Sequence, residues 1–292
     1  MVAGPTGVGK TAFAVELATR FDGEIVSADA FQVYRGMEIL TAQPEERMLR
    51  GIPHHLIGFL SPEESFDASH FATLARKQIH EIVSRGKLPI IAGGSGLYIK
   101  ALTHGLSELP RGDARFRSDL AKLSNAQLQE LLRAVDPLTK VDLRNRRRVS
   151  RALEISLIAG RPASELRTQW ESTAQTNFRG ILLVRERAEL YSRIAENVRA
   201  MFQRGVVAEV ARIPKFGATA KMAIGLREIE SLRRGELTQS ECIEAVTLST
   251  RHYAKRQLTW FRNQFMLRLI DLTGLRDTSE IPPPALEFLG AV

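Results

Sequence analysis

Apolar positions change period several times within the first hundred residues. TAFAVELATRF (residues 11–21) repeats apolar side chains at helical spacing, whereas GEIVSAD (23–29) is a short β-rich run closing on an acid. From Ser69 to Arg85 the apolar residues Phe71, Leu74, Ile79, Ile82 and Val83 fall on one face of a helix. RGKLPIIAGGSG (85–96) reads as a buried strand running into glycines, and SGLYIKAL as the helix after it. Strand, loop and helix repeated in this way predict a parallel sheet with helices on both faces.

The texture changes near Pro110. Residues 113 to about 178 are predicted to be entirely helical, with Ser124 as N-cap of NAQLQELL and Gly160 as a stop. FRGILLVRE (178–186) returns to a strand pattern, so the helical block reads as an insertion. The expected organisation is an α/β core, 1–112 with 179–292, and a helical insertion domain, 113–178. Everything after the returning strand is expected to be helical. The last long helix starts at Thr238, where Thr238 and Glu241 match a capping box, and runs through STRHYAKRQLTWFRNQF. The chain carries no internal repeat and no low-complexity segment.

Composition and charge add further constraints. Apolar residues at 44% and charged residues at 25% of 292 suit a soluble globular protein with a sizeable core. Cys242 is the single cysteine, which excludes an internal disulfide and fits a reducing, cytoplasmic setting. The absence of an apolar run of about 18 residues predicts no membrane span. With the glycine loop reached after three residues, no signal peptide is expected. A net charge of +8 points to a polyanionic partner, nucleic acid first.

GPTGVGKT (4–11) matches the phosphate-loop pattern, whose ordinary association is nucleotide and ATP binding. Its glycines let backbone N–H groups converge on an anion, the following helix offers its N-terminus, Lys10 adds a charge, and the Thr11 hydroxyl can bind Mg²⁺. Only Met1, Val2 and Ala3 precede the loop, so the expected central strand is very short, and an incomplete or misassigned start is the expectation. Asp29 ends the second strand at the loop's edge of the sheet, where ligands of open α/β sheets bind; it can serve as metal ligand, general base or loop cap. LPIIAGG ends without the acid that a P-loop ATPase uses toward Mg²⁺, which argues against ATP hydrolysis. Gly93, Gly94, Ser95 and Gly96 form a second close-approach surface, with Ser95 either donating to a ligand or capping the next helix.

His54 and His55 invite a metal reading, but adjacent side chains point apart and no second cluster has metal-site spacing; a loop packed near the site is expected. Arg144, Arg146, Arg147, Arg148 and Arg151 crowd a helix start, where they oppose the helix dipole and one another. Either a phosphate-rich partner or a solvated basic face follows. On the last helix, Arg251, Lys255 and Arg262 are interleaved with Tyr253, Trp260 and Phe261, which suits nucleic-acid contact or, for the aromatics, the core.

Taken in order, GPTGVGKT, SADAFQVYRGMEI (27–39), GIPHHL (51–56), GGSGLYIKAL (93–102), RRVSRALEI (147–155), AIGLREI (223–229) and TRHYAKRQLTWFR (250–262) resemble the tRNA dimethylallyltransferase family over nearly the whole chain. The resemblance implies a P-loop NTPase-like α/β core with a small all-helical insertion that clasps the anticodon stem-loop. It implies transfer of a dimethylallyl group from dimethylallyl diphosphate to N6 of adenosine 37 of tRNA. Gly4, Pro5, Thr6, Gly7, Val8, Gly9, Lys10 and Thr11 would then cradle the diphosphate, with Thr11 on Mg²⁺. By the same resemblance Asp29 is the general base, Ser95 contacts the substrate base and Arg227 faces the diphosphate. Contacts to tRNA would come from Asp29, Ala30, Phe31, Gln32 and Ser95, and from Arg147, Arg148, Val149, Ser150 and Arg151. A monomer is expected.

The chain departs from the family pattern in places. Ala30 replaces a usual serine, Leu40-Thr-Ala-Gln replaces Gly-Thr-Ala-Lys, and Leu226 replaces a tyrosine beside Arg227. The absence of a following zinc finger suggests a bacterial type. Three alternatives stay open at this level: an adenylate isopentenyltransferase acting on free AMP or ADP, an ATP-dependent small-molecule kinase, and a non-catalytic tRNA-binding protein.

Overall fold

The computed structural model describes residues 1–106, 109–110, 112–166, 178–275 and 281–290. The chain folds as two compact units, one made of Met1–Leu102 with Asn177–Val292 and the other of Thr103–Thr176.

The first unit is built on a six-stranded parallel sheet. In chain order its elements begin β1 (Val2–Ala3), α1 (Lys10–Arg20), β2 (Gly23–Ser27), α2 (Glu46–Leu49), β3 (His54–His55), α3 (Ala68–Ser84), β4 (Leu88–Gly93) and α4 (Gly96–His104). The helical unit holds α5 (Ala114–Lys122), α6 (Asn125–Val135), α7 (Arg146–Ala159) and α8 (Ala163–Leu166). The first unit resumes with β5 (Ile181–Val184), α9 (Arg187–Gln203), α10 (Val206–Arg212), α11 (Leu226–Arg233), α12 (Gln239–Gln264), β6 (Arg268–Asp271) and α13 (Pro283–Gly290).

Strand order is β3-β2-β4-β1-β5-β6. The two-residue β1 lies in the middle, Val2 opposite Ala92 on one side and Ile181 on the other. Its brevity is as expected from the sequence, and both of its residues are buried. Strands covered on both faces read as continuous apolar runs rather than alternations. Ile25 and Val26 of β2, Ile90 and Ile91 of β4 and Ile181 to Leu183 of β5 fit that rule. α3 turns Phe71, Ala72, Ala75 and Ile82 inward, while Val83 is exposed. It starts at Asp67, whose carboxylate accepts from Ser69 N–H (2.9 Å) and His70 N–H (3.0 Å).

Two expectations fail in this unit. His54 and His55 do not sit in a loop; they form the edge strand β3, and His55 Nε2 pairs with the buried Glu24 at 2.6 Å. Arg85 grips the same carboxylate from the start of the α3–β4 turn. Nor is everything after β5 helical: RLID (268–271) adds β6 to the sheet edge. Its alternation is weak because only Ile270 of the four is buried, so periodicity gave no signal.

In the helical unit, Ser124 caps α6 through a complete capping box with Gln127, and Gly160 closes α7 at φ +64°. Leu120, Leu128, Leu132, Val149, Ala152, Leu153, Ile155 and Ala163 form its core. The expected helical stretch beyond Leu166, up to residue 177, lies outside the described residues.

Candidate active site

The phosphate loop leaves β1 at Gly4 and delivers the chain to α1 at Lys10. Gly7 (φ +84°) and Gly9 (φ +110°) hold left-handed backbone that side chains disfavour. No side chain caps α1, so the first-turn N–H groups and the positive end of the helix dipole are turned toward the loop. Lys10 Nζ donates to the Pro5 carbonyl at 2.9 Å. Burial pushes the Lys10 ammonium down to about 8, against the attraction of Asp29, which raises it.

Asp29 stands two residues beyond the end of β2. Its Oδ1 accepts from the backbone N–H of Phe31 (2.9 Å) and Gln32 (3.3 Å). The loop-capping reading of this aspartate is therefore correct, and the carboxylate is also fixed close enough to Lys10 to perturb it. Ser95 Oγ accepts from Ala30 N–H at 2.9 Å, and Ser95 N–H donates to the Ala28 carbonyl at 3.1 Å. These bonds tie the glycine turn after β4 to the Asp29 turn after β2. A serine hydroxyl has one donor proton in addition. Gln32 braces the next loop: its amide donates to the Ala42 carbonyl at 3.1 Å, and its Oε1 accepts from Ser27 Oγ at 3.2 Å.

Sequence reasoning missed the residue that closes this arrangement. Gln257 of α12 is buried; its Oε1 accepts from Thr6 N–H at 2.8 Å and its Nε2 donates to the Gly94 carbonyl at 2.9 Å. One side chain thus joins the phosphate loop to the β4 turn. Tyr253, one helical turn earlier, lies near Ser95 and Gln257. Nothing in a single sequence marks a glutamine between Arg256 and Leu258 as a bridge. Further along α12, Phe261 is fully buried and belongs to the core. Trp260 packs so closely on Gly96 that a Cβ there would lie 2.1 Å from the indole.

A cleft opens beside the loop. Its lining mixes the polar residues Thr6, Asp29, Asn197, Thr250 and Tyr253 with the apolar Leu40, Ile194, Val198 and Val246. Arg227 is not among the residues of that cleft. It lines an adjoining cavity with Lys221, His252 and Arg256; Ala223 and Ile224 border both cavities. Glu228 is the acid of this second cavity, and it accepts from Ser249 Oγ at 2.6 Å.

Within the helical unit the arginine cluster divides by role. Arg146 donates to the carbonyls of Ala121 (3.0 Å) and Leu123 (2.7 Å), which end α5. Arg151 donates to buried Glu154 at 2.5 Å and to the Pro110 carbonyl at 2.7 Å, and Arg117 meets the same Glu154 at 2.9 Å. Arg151 is thus engaged in structure, though its side chain stays 35% exposed, and the Val149 side chain is buried in the unit's core. Arg147 and Arg148 are exposed, and Ser150 is half-buried.

A parallel sheet with a phosphate loop after its strand β1 and an acid after β2, on the far side of β4, gives a P-loop-type α/β scaffold. A family model described as IPP transferase matches residues 32–264, and the chain belongs to that family. It is 40% identical over 291 residues to a tRNA dimethylallyltransferase of Akkermansia muciniphila, covering 99% of this chain and 98% of the relative. It is 42% identical over 277 residues to the tRNA dimethylallyltransferase of Anoxybacillus flavithermus, covering 92% and 89%. Among solved structures, the tRNA isopentenylpyrophosphate transferase of Bacillus halodurans superposes with a TM-score of 0.70 at 35% identity over 99% of this chain and 92% of that one. A eukaryotic dimethylallyltransferase acting on tRNA gives 0.78 at 28% identity, over 94% of this chain and 73% of that one.

Proposed function

We propose that this enzyme transfers a dimethylallyl group from dimethylallyl diphosphate to N6 of adenosine 37 in the tRNA anticodon stem-loop, releasing diphosphate. One observation carries the reading: Thr6 of the phosphate loop and Asp29 line the same cleft as the aliphatic Leu40, Ile194, Val198 and Val246. A prenyl diphosphate has that polarity, charged at one end and aliphatic at the other. A nucleotide donor would instead set a polar sugar and base against Leu40, Val198 and Val246.

The Lys10 ammonium and the backbone N–H groups of the loop face the charge that grows on the leaving diphosphate, a contribution of several kcal/mol when such donors are preorganised. Mg²⁺ fits the donor set. Thr11 and Asp29 offer hard oxygens, and among the described residues no group of three or more His, Cys, Asp or Glu converges into a protein cage. Mg²⁺ ordinarily takes one or two protein oxygens and completes its shell with phosphate and water. Bound there by Thr11, it would neutralise phosphate charge.

Adenine N6 is a weak nucleophile because its lone pair is delocalised into the ring. The cleft wall holds the allylic group in reach, which lowers the entropic cost of attack. As the N6–C1 bond forms and the C1–O bond breaks, Asp29 takes the N6 proton and diphosphate leaves with the bonding electron pair. The adenosine has to leave the base stack to reach this depth, which costs least in a loop. Ser95, with its remaining donor, is suited to hold the base. Exposed Arg147 and Arg148 hold RNA phosphates, which makes binding salt-sensitive. Arg227, through its own basic cavity, contributes to the anionic side of the bound substrates. No helix of the described residues is long and apolar enough to cross a membrane, and a tRNA substrate fits a cytoplasmic setting.

The test is incubation with Mg²⁺, dimethylallyl diphosphate and an anticodon stem-loop bearing adenosine 37, read by nucleoside mass spectrometry, with AMP as competing acceptor. Prenylated adenosine in the stem-loop is the expected product. Product on AMP alone would move the enzyme to the free-nucleotide class, and no product on either would refute the reading.

A further inference from the structure

Two arginines stand behind the phosphate loop. Arg185 follows β5 directly, and its side chain is fully buried. Its Nε donates to the Val8 carbonyl at 2.9 Å. Its two terminal nitrogens donate to the Leu272 carbonyl at 2.5 Å and the Leu275 carbonyl at 3.0 Å, and one also pairs with Glu189. Glu189 in turn accepts from Gly274 N–H at 2.9 Å. That N–H and the Arg185 charge hold the Glu189 carboxyl below its ordinary range despite desolvation. Two turns into α9, Arg193 Nε donates to the Gly7 carbonyl at 3.1 Å. Two consecutive carbonyls of the loop, Gly7 and Val8, are therefore gripped by two guanidinium groups.

In a trans peptide the C=O and the following N–H point in opposite directions. A Gly7 carbonyl fixed by Arg193 orients the Val8 N–H, which donates within the loop to the Pro5 carbonyl at 3.3 Å, and a Val8 carbonyl fixed by Arg185 orients the Gly9 N–H. Gly7 and Gly9 adopt left-handed backbone on either side, and such residues are the ones whose peptide planes turn most easily. A loop this free to flip needs an external hold if its N–H groups are to converge before the ligand arrives. Guanidinium suits the task because its planar fork keeps its charge and serves several acceptors at once. The Leu272–Leu275 turn supplies the counter-anchor, since two of its carbonyls and one of its N–H groups close the same network.

We propose that Arg185 and Arg193 are positioning residues for the diphosphate: they preset the peptide planes of Gly7 and Val8 so that the phosphate loop binds the leaving group without rearrangement. The proposal rests on the reading that this loop holds diphosphate.

The experiment is calorimetric titration of the full chain with inorganic pyrophosphate and Mg²⁺, alongside binding of the anticodon stem-loop and steady-state turnover. Wild type is compared with Arg185→Met, Arg185→Lys and Arg193→Gln. Loss of a preorganised oxyanion contact is commonly worth about two orders of magnitude; because these residues act through the loop, a pyrophosphate Kd raised about tenfold is expected in Arg185→Met and Arg193→Gln. KM for dimethylallyl diphosphate should rise with it, while stem-loop affinity stays within about twofold, within the ordinary scatter for a site not in contact. Arg185→Lys, which keeps the charge and loses the fork, should fall between. Should Arg185→Met fail to fold, the partly exposed Arg193→Gln decides. If wild type binds pyrophosphate and Arg193→Gln binds it equally well, the positioning role is overturned and the reading of the loop survives. If wild type does not bind pyrophosphate, the reading of the loop falls and the proposal falls with it.

Discussion

Replacing Asp29 by asparagine separates two jobs that one carboxylate performs. The structural job is acceptance of two backbone hydrogen bonds, from Phe31 N–H at 2.9 Å and Gln32 N–H at 3.3 Å. Asparagine retains an acceptor in that position, so Asp29→Asn is expected to lose under about 1 kcal/mol, whereas Asp29→Ala forfeits both bonds and loses about 1–3 kcal/mol. The chemical job is removal of the N6 proton, for which asparagine and alanine are equally useless. A positioned general base contributes roughly 10²–10⁴ in rate. Both variants should therefore fall by that factor in single-turnover prenylation, with stem-loop binding retained. A further consequence concerns Lys10. Asp29 holds the Lys10 ammonium up against the effect of burial; without that charge, Lys10 titrates below about 8. The pH at which diphosphate affinity begins to weaken should then move down in both variants. The result that refutes the reasoning is an active Asp29→Asn beside an inactive Asp29→Ala. That pattern would make Asp29 a loop cap and leave the proton to another acceptor.

Wild-type affinity for dimethylallyl diphosphate should fall as pH rises through about 8, where Lys10 loses its proton, by at most about tenfold per pH unit. Titration calorimetry across pH 7–10 measures this, and Lys10→Arg should abolish the trend. The stability effect has the opposite sign. The folded value near 8 lies below the ordinary 10.5, so the unfolded chain binds more protons between them and the cost of burying Lys10 is relieved as pH rises through that window. Gln257→Leu leaves Thr6 N–H and the Gly94 carbonyl without these partners, and denaturant unfolding should register a loss of about 2–4 kcal/mol. Arg148→Ala should weaken stem-loop binding and lower the salt slope by about one unit, while Arg151→Ala, which takes one of the partners of buried Glu154, should leave the salt slope unchanged and lower the melting temperature.

Much of the α/β core was legible because buried parallel strands and amphipathic helices write different periods. GEIVS and LPIIAG announce themselves as apolar runs, and Phe71 and Ile82 fall on the helix face that the period assigns. β3 and β6 were hidden: one is two histidines long, the other buries a single side chain. Phosphate loop and Asp29 were legible because glycines and an acid at strand ends have few other uses. Gln257, Arg185 and Arg193 were not, since they act by contacts to backbone carbonyls and N–H groups that only the fold brings near. The arginine run shows the complementary weakness. Charge density offered a phosphate-rich partner or a solvated face for the whole run, yet Arg146 and Arg151 spend their guanidinium groups on carbonyls and Glu154 inside the helical unit, a distinction that composition does not encode.

The phosphate loop is synthesised well before the side chains that brace it from elsewhere in the fold. Gly7 is held from 186 residues downstream, Val8 from 177 and Thr6 from 251. At a synthesis rate of about 5–20 residues per second, Thr6 waits roughly 10–50 s for Gln257. Throughout that interval a glycine-rich, anion-seeking loop exists without the groups that shape it, and β1 lacks its β5 neighbour. Nascent chains should thus be blind to diphosphate until Gln257 has been made. The ligand can act only as a late lock on the finished fold and never as a template for its assembly.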